Sequence, residues 1–159
     1  MIKEEATARI QRWKALLYKD LCDLRSNGQI LFNLIIGVAF VSIASFFSLQ
    51  ELPVSFLLAF IFVMLTMMIQ GNLVVEEYEQ RTIRRLQQAG FSLKEVILSK
   101  MLVTFTITVL VLVIFFFFSN NHIIFSLKLF LLILPILIIM LIAGSFLGMK
   151  TKNTIEVSL

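Results

Sequence analysis

The sequence predicts an all-α, polytopic membrane protein: an amphipathic N-terminal helix lying in the membrane interface, followed by four transmembrane helices. Three observations lead there. The first is composition: 59% of the 159 residues are hydrophobic and the mean hydropathy is +0.96, where a soluble domain has roughly 45–50% apolar residues. The second is a set of four apolar runs, at about 30–49, 54–75, 101–118 and 129–149. Each is near the roughly 20 residues that cross about 30 Å of hydrocarbon at 1.5 Å per residue. The third is charge placement. Of the fourteen Lys and Arg residues, six precede the first run, five fall between the second and third, and two follow the fourth; the two remaining connections hold only Lys128. By the positive-inside rule, both termini and the central loop are expected on the cytoplasmic side.

Residues 1–28 form the first unit. Ile10, Trp13, Leu17, Leu21 and Leu24 recur at steps of three or four, the stripe of an amphipathic helix. Basic residues fill much of the remainder, and a span follows directly, so the helix is expected to lie along the bilayer surface with Trp13 as its anchor. Ser26-Asn27-Gly28 breaks it. Residues 29–159 form the transmembrane unit. Its first two spans are joined by a short turn containing Gln50, Glu51 and Pro53, and its last two by the segment near Ser119–Ser126, neither long enough for an external domain.

The polar interval 76–100 is longer than a connection between two spans needs. Tyr78, Thr82, Leu86 and Ala89 recur at helical spacing, and Glu77 stands four residues before Arg81. Gly90 suits a left-handed helix terminus. Ser92-Leu93-Lys94-Glu95 reads as a capping box, with Phe91 and Val96 placed for a hydrophobic staple. One helix over about 76–89, a glycine turn, and a second helix running into the third span are expected, extending that 18-residue run.

The spans carry little chemistry. The first three lack Asp, Glu, Lys and Arg; among their polar groups are Asn33, Gln70, Asn72, Thr104, Thr106 and Thr108, residue types that in membranes bond a neighbouring helix or their own backbone. Pro135 interrupts the fourth span, and Gly144 and Gly148 form a GxxxG helix-packing surface. The lone Cys22 and lone His122 offer neither a disulfide nor a metal cluster. No Walker loop and no nucleophile–base pair occurs. The expectation is a non-enzyme with no catalytic residue, no metal, no nucleic-acid partner and no cofactor of its own. The net charge of +4 belongs to topology.

Two stretches resemble a permease of the type-2 ABC exporter family. One is Arg12–Leu21 with Arg25-Ser26-Asn27, similar to the family's interfacial opening helix and the break after it. The other is the 76–100 interval, where Glu76, Glu79, Thr82, Leu86, Ser92 and Lys100 match the family's acidic pair, Gly-Thr, Leu, Pro-x-Ser and Gly-Lys. Arg81 stands in place of the glycine of the Gly-Thr step, Gly90-Phe91 in place of the proline region, and Ser99 in place of the glycine before the lysine. The resemblance implies a coupling segment that docks on a separate ABC ATPase subunit, through Glu76, Glu79, Arg81, Thr82 and Leu86, with ATP bound on that partner. It also implies a second permease chain, as a homo- or hetero-dimer, in a bacterial cell membrane. The family normally has six spans, so with four the chain is expected to be a shortened paralogue, a truncated product or one piece of a split permease. Two rival readings follow from the same residues. One is a small tetraspan scaffold or assembly factor without an ATPase. The other is the four-span permease of lipoprotein-release and macrolide-export systems, which resembles Thr82–Ser92 but carries a large external domain.

Overall fold

The computed structural model describes residues 2–46, 54–118, 127–151 and Val157, with side chains placed over 10–43, 56–115 and 132–151 and at Val157. The outer connections at Gln50–Pro53 and Ser119–Ser126, with His122, and the side chains of Lys128 and Lys152 lie outside them. Every described element is helical: α1 (Ile2–Ser26), α2 (Gly28–Phe46), α3 (Val54–Phe60), a π-helical stretch (Ile61–Met67), α4 (Met68–Glu79), α5 (Thr82–Gln88), α6 (Leu93–Phe118) and α7 (Leu127–Lys150). The protein is an all-α polytopic membrane protein. Three helices, over Phe56–Glu79, Leu93–Phe115 and Leu132–Lys150, are long and apolar enough to cross a bilayer, and the pair Ile10–Ser26 and Gly28–Ile43, bent by 78°, makes a fourth if taken as one span.

Asn27 makes that bend. Its amide N–H still donates to the Asp23 carbonyl at 2.9 Å, closing α1, while its side-chain Oδ1 accepts from the amides of Gln29 and Ile30 at 3.0 and 3.2 Å, opening α2. One residue thus ends one helix and caps the next. The face of α1 that packs on the bundle is offset from the apolar stripe read in the sequence. Leu16, Asp20 and Leu24 are buried, whereas Ile10 and Leu21 are each 56% exposed. An aspartate lies in the buried face, which apolar periodicity alone does not register. The apolar flank that carries Ile10 and Leu21 stays exposed.

The second span is not a regular α-helix. At its π stretch the Met68 amide reaches back to the Val63 carbonyl, five residues away, which adds one residue to the turn. Ile30, Ile61, Leu65, Ile69, Leu73, Leu112, Phe115 and Leu137 form the buried core. Phe32, Ile35, Leu132, Ile139 and Phe146 are all more than 60% exposed, a placement that suits contact with lipid.

The bundle closes tightest between α7 and the second span, where glycine is required. A Cβ on Gly144 would sit 2.5 Å from the Met67 carbonyl oxygen, and one on Gly148 would sit 2.5 Å from that of Gly71. The packing partner of this GxxxG surface is the second span of the same chain. A Cβ on Gly28 would meet nothing within 4 Å. Overpacking a tight contact costs about 1–3 kcal/mol, or roughly 3–10 °C for a chain of this size. Gly144→Leu is expected to lower the thermal midpoint in detergent by that amount, with Gly28→Ala unchanged, as read by scattering-based melting.

Candidate functional site

The ends of three helices that share one side of the bundle carry complementary charge. Asp20 of α1, Glu77 near the end of α4 and Lys100 of α6 are 0%, 3% and 1% exposed. Lys100 Nζ lies 3.0 Å from Asp20 Oδ1 and 2.9 Å from Glu77 Oε1, so one ammonium bridges two carboxylates from two helices. The second Asp20 oxygen accepts from the Ser99 hydroxyl, and Ser99 also donates to the Val96 carbonyl at 3.0 Å. Lys19 reaches the same Glu77 oxygen from the other side and pairs with Asp23 at 2.7 Å. Glu76 is held apart from this group. It accepts from Asn27 Nδ2 at 3.0 Å and from Gln80 Nε2 at 2.8 Å.

A buried charge is tolerated when its partners are in place and its remaining hydrogen bonds are made. Both conditions hold here. Asp20, Asp23 and Glu77 bring carboxylate oxygens within 4.8 Å of one another, but Lys19 and Lys100 supply ammonium groups to that trio.

The polar interval follows from this cluster. α4 runs on to Glu79, and the helix expected over 76–89 is instead split. The amides of Gln80 and Arg81 turn back to the carbonyls of Glu76 and Tyr78, and Arg81 takes a left-handed conformation at φ 55° before α5 begins. Non-glycine residues seldom adopt that region. The Thr82 hydroxyl anchors the elbow by donating to the Glu77 side chain and, at 3.3 Å, to the Glu77 carbonyl. Ala89, Gly90 and Phe91 then close α5 onto Arg85, Gln87 and Leu86, with Gly90 at φ 84°. The capping box forms: Ser92 Oγ accepts from the Glu95 amide at 3.2 Å, and Glu95 Oε2 accepts from the Ser92 amide at 2.8 Å. Phe91 carries the Arg12 guanidinium 5.0 Å from its ring centroid, and Arg12 also donates to the Gly90 carbonyl. The glycine turn is therefore clipped to α1.

Of the residues picked out from the sequence, Glu76 faces Asn27 inside the protein and Thr82 holds the elbow. Glu79 and Arg81 are exposed and Leu86 is half-buried on α5, which has no fully buried residue. Trp13 is half-buried on α1. From the sequence, Asp20 and Lys19 have no role of their own, Asn27 is named only as part of the Ser26-Asn27-Gly28 break that it does form, and Glu77 is only a helix-surface partner for Arg81. Asp20 and Lys100 are eighty positions apart, beyond any local pattern. Their only signal in the sequence was the resemblance of the 12–21 and 76–100 stretches.

Deeper in the bundle, Gln70 joins three helices. Its Oε1 accepts from Thr104 of α6 at 2.8 Å, and its Nε2 donates to Ser145 of α7 at 2.8 Å. Thr66 and Thr108 share a hydrogen bond at 3.1 Å one turn away. Thr106 bonds back to Leu102 of its own helix at 2.8 Å. Asn72 is fully buried, and among the described residues neither its Nδ2 nor its Oδ1 has a partner; the same holds for the buried Nδ2 of the half-buried Asn33.

The geometry is that of a polytopic helical bundle whose opening helix is bonded by buried charge to a capped, polar hairpin between two spans. The family model described as ABC-2 type transporter matches residues 10–152, and the chain belongs to that family. It is an ABC transporter permease. No curated protein and no solved structure gives a significant match.

Lys100→Met leaves Asp20 and Glu77 buried without their common partner. Breaking a buried pair costs about 3–5 kcal/mol. The variant is expected to lose most of its thermal stability margin, whereas Lys94→Met on the exposed start of α6 is expected to melt like the parent.

Proposed function

We propose that the chain is the membrane-spanning subunit of an ATP-driven exporter, coupled through residues 76–100 to a separate ATPase subunit that binds the ATP. It works beside a second permease chain in a cell membrane, with both termini and the 76–100 segment facing the cytoplasm. The observation that carries this reading is the suspension of α5. Its seven residues bury no side chain, yet its first residue, Thr82, is bonded to Glu77, which is bonded in turn to Lys100 of α6 and Lys19 of α1. A push on α5 is delivered to two spans and the interfacial helix together. The exposed face of the elbow, with Tyr78, Glu79 and Arg81 beside Leu86, is the surface offered to the partner. Aromatic and arginine side chains of that kind commonly dominate an interface.

The test is co-purification of a Walker-motif protein with the tagged chain from native membranes. A Leu86→Asp, Arg81→Glu double variant is expected to reduce the recovered ATPase at least about tenfold, the loss that follows from removing about 1.4 kcal/mol or more of contact energy. Membrane insertion should be intact, because both positions follow the Phe56–Glu79 span. Full ATPase recovery by the double variant would sink the coupling assignment and favour a scaffold without ATPase.

A further inference from the structure

A second site lies on the elbow itself. A pocket of about 560 Å³ opens beside the α4–α5 junction, lined by Glu77, Tyr78, Arg81, Ile83, Arg84 and Gln87. We propose that it binds a phosphate-bearing anion, held between the guanidinium groups of Arg81 and Arg84.

The charge inventory leads to this. The two lysines of the neighbouring cluster are committed to Asp20, Asp23 and Glu77, and Arg12 is committed to Gly90 and Phe91. Arg81 and Arg84 are both exposed, and neither guanidinium has an acidic partner among the described residues. The single acidic side chain lining the pocket, Glu77, is already taken by Lys19, Lys100 and Thr82. The wall is left with two uncompensated positive charges facing open volume.

The shape of the site also fits such a ligand. Arg81 is held at φ 55°, a conformation in which glycine would sit without strain, so the fold presents a long cationic side chain at a backbone position that disfavours one. Guanidinium forks match the paired oxygens of a phosphate. The Tyr78 hydroxyl and Gln87 amide add neutral donors, and Ile83 adds an apolar wall. The elbow follows directly on the Phe56–Glu79 span, and basic pockets at the ends of spans recognise anionic headgroups. A lipid headgroup and a free phosphate share this chemistry. The inference does not rest on the ATPase reading, although Arg81 serves in both, and the chain alone suffices to test it.

The experiment is native mass spectrometry of the purified full chain in detergent, titrated separately with phosphatidylglycerol, phosphatidylcholine and inorganic phosphate. The test variant is Arg81→Gly with Arg84→Gln, since glycine suits the left-handed backbone. The control is Arg85→Gln with Lys94→Gln, which removes equal charge outside the pocket. One phosphatidylglycerol retained per chain, weakened at least about tenfold in the test variant (about 1.4 kcal/mol) and unchanged in the control, supports the site with lipid as its source. Inorganic phosphate that binds with the same arginine dependence and displaces the lipid supports the site with a soluble source. Equal binding by test variant and parent, or equal loss in the control, overturns it.

Discussion

Lys100 is the constraint on which the rest of the structure depends. An ammonium with 1% of its surface exposed needs negative partners within hydrogen-bond reach, and the chain has to bring them from elsewhere. Asp20 comes from a helix that precedes the first span, and Glu77 from the end of the second. Satisfying one lysine therefore fixes where α1 lies, how far α4 extends before it breaks, and how α6 enters the bundle. Asn27 and Thr82 stand at the two break points next to this cluster, and each spends a side-chain hydrogen bond on a neighbouring glutamate. The bend of the opening helix and the elbow of the polar hairpin are both consequences of how the carboxylates are held.

What could be read in advance divides along the range of the interaction. Gly90, Ser92 and Glu95 specify their turn and cap within six residues, and they form as the local chemistry dictates. Spans, too, are local, being runs of apolar residues of a set length. The break at Gln80–Arg81 was not legible, because glycine or asparagine is the usual sign of a left-handed residue and the sequence has arginine there. Nor was the packed face of α1, since periodicity counts Asp20 as a solvent residue when it is the buried one. The same limit applies to Gln70, visible as a polar residue at depth but without any sign of which helices its two ends would reach.

The two polar levels of the bundle differ in kind. Gln70, Thr104 and Ser145 exchange hydrogen bonds across three spans, and Thr66 with Thr108 repeats the arrangement nearby. Such contacts favour a single packing of the spans. Asn72 and Asn33 do the opposite: buried amide groups without partners among the described residues destabilise the arrangement that contains them. Among the described residues, the first and second spans therefore carry polar groups whose bonds this packing leaves unmade, while the buried cluster around Lys100 has its charges matched.

Buried charge ties α1 and the polar hairpin into one body. This is tested most directly by the distance between them. The native Cys22 is exposed on α1 and accepts a spin label; Gln88→Cys at the end of α5 accepts the second. Pulsed electron resonance on the labelled chain in lipid nanodiscs is expected to give one narrow distance distribution, and Asp20→Asn, which keeps the shape and removes the charge that faces Lys100, is expected to broaden it. A distribution equally narrow in both would mean that the charge cluster does not hold the two elements together, and the account would fail.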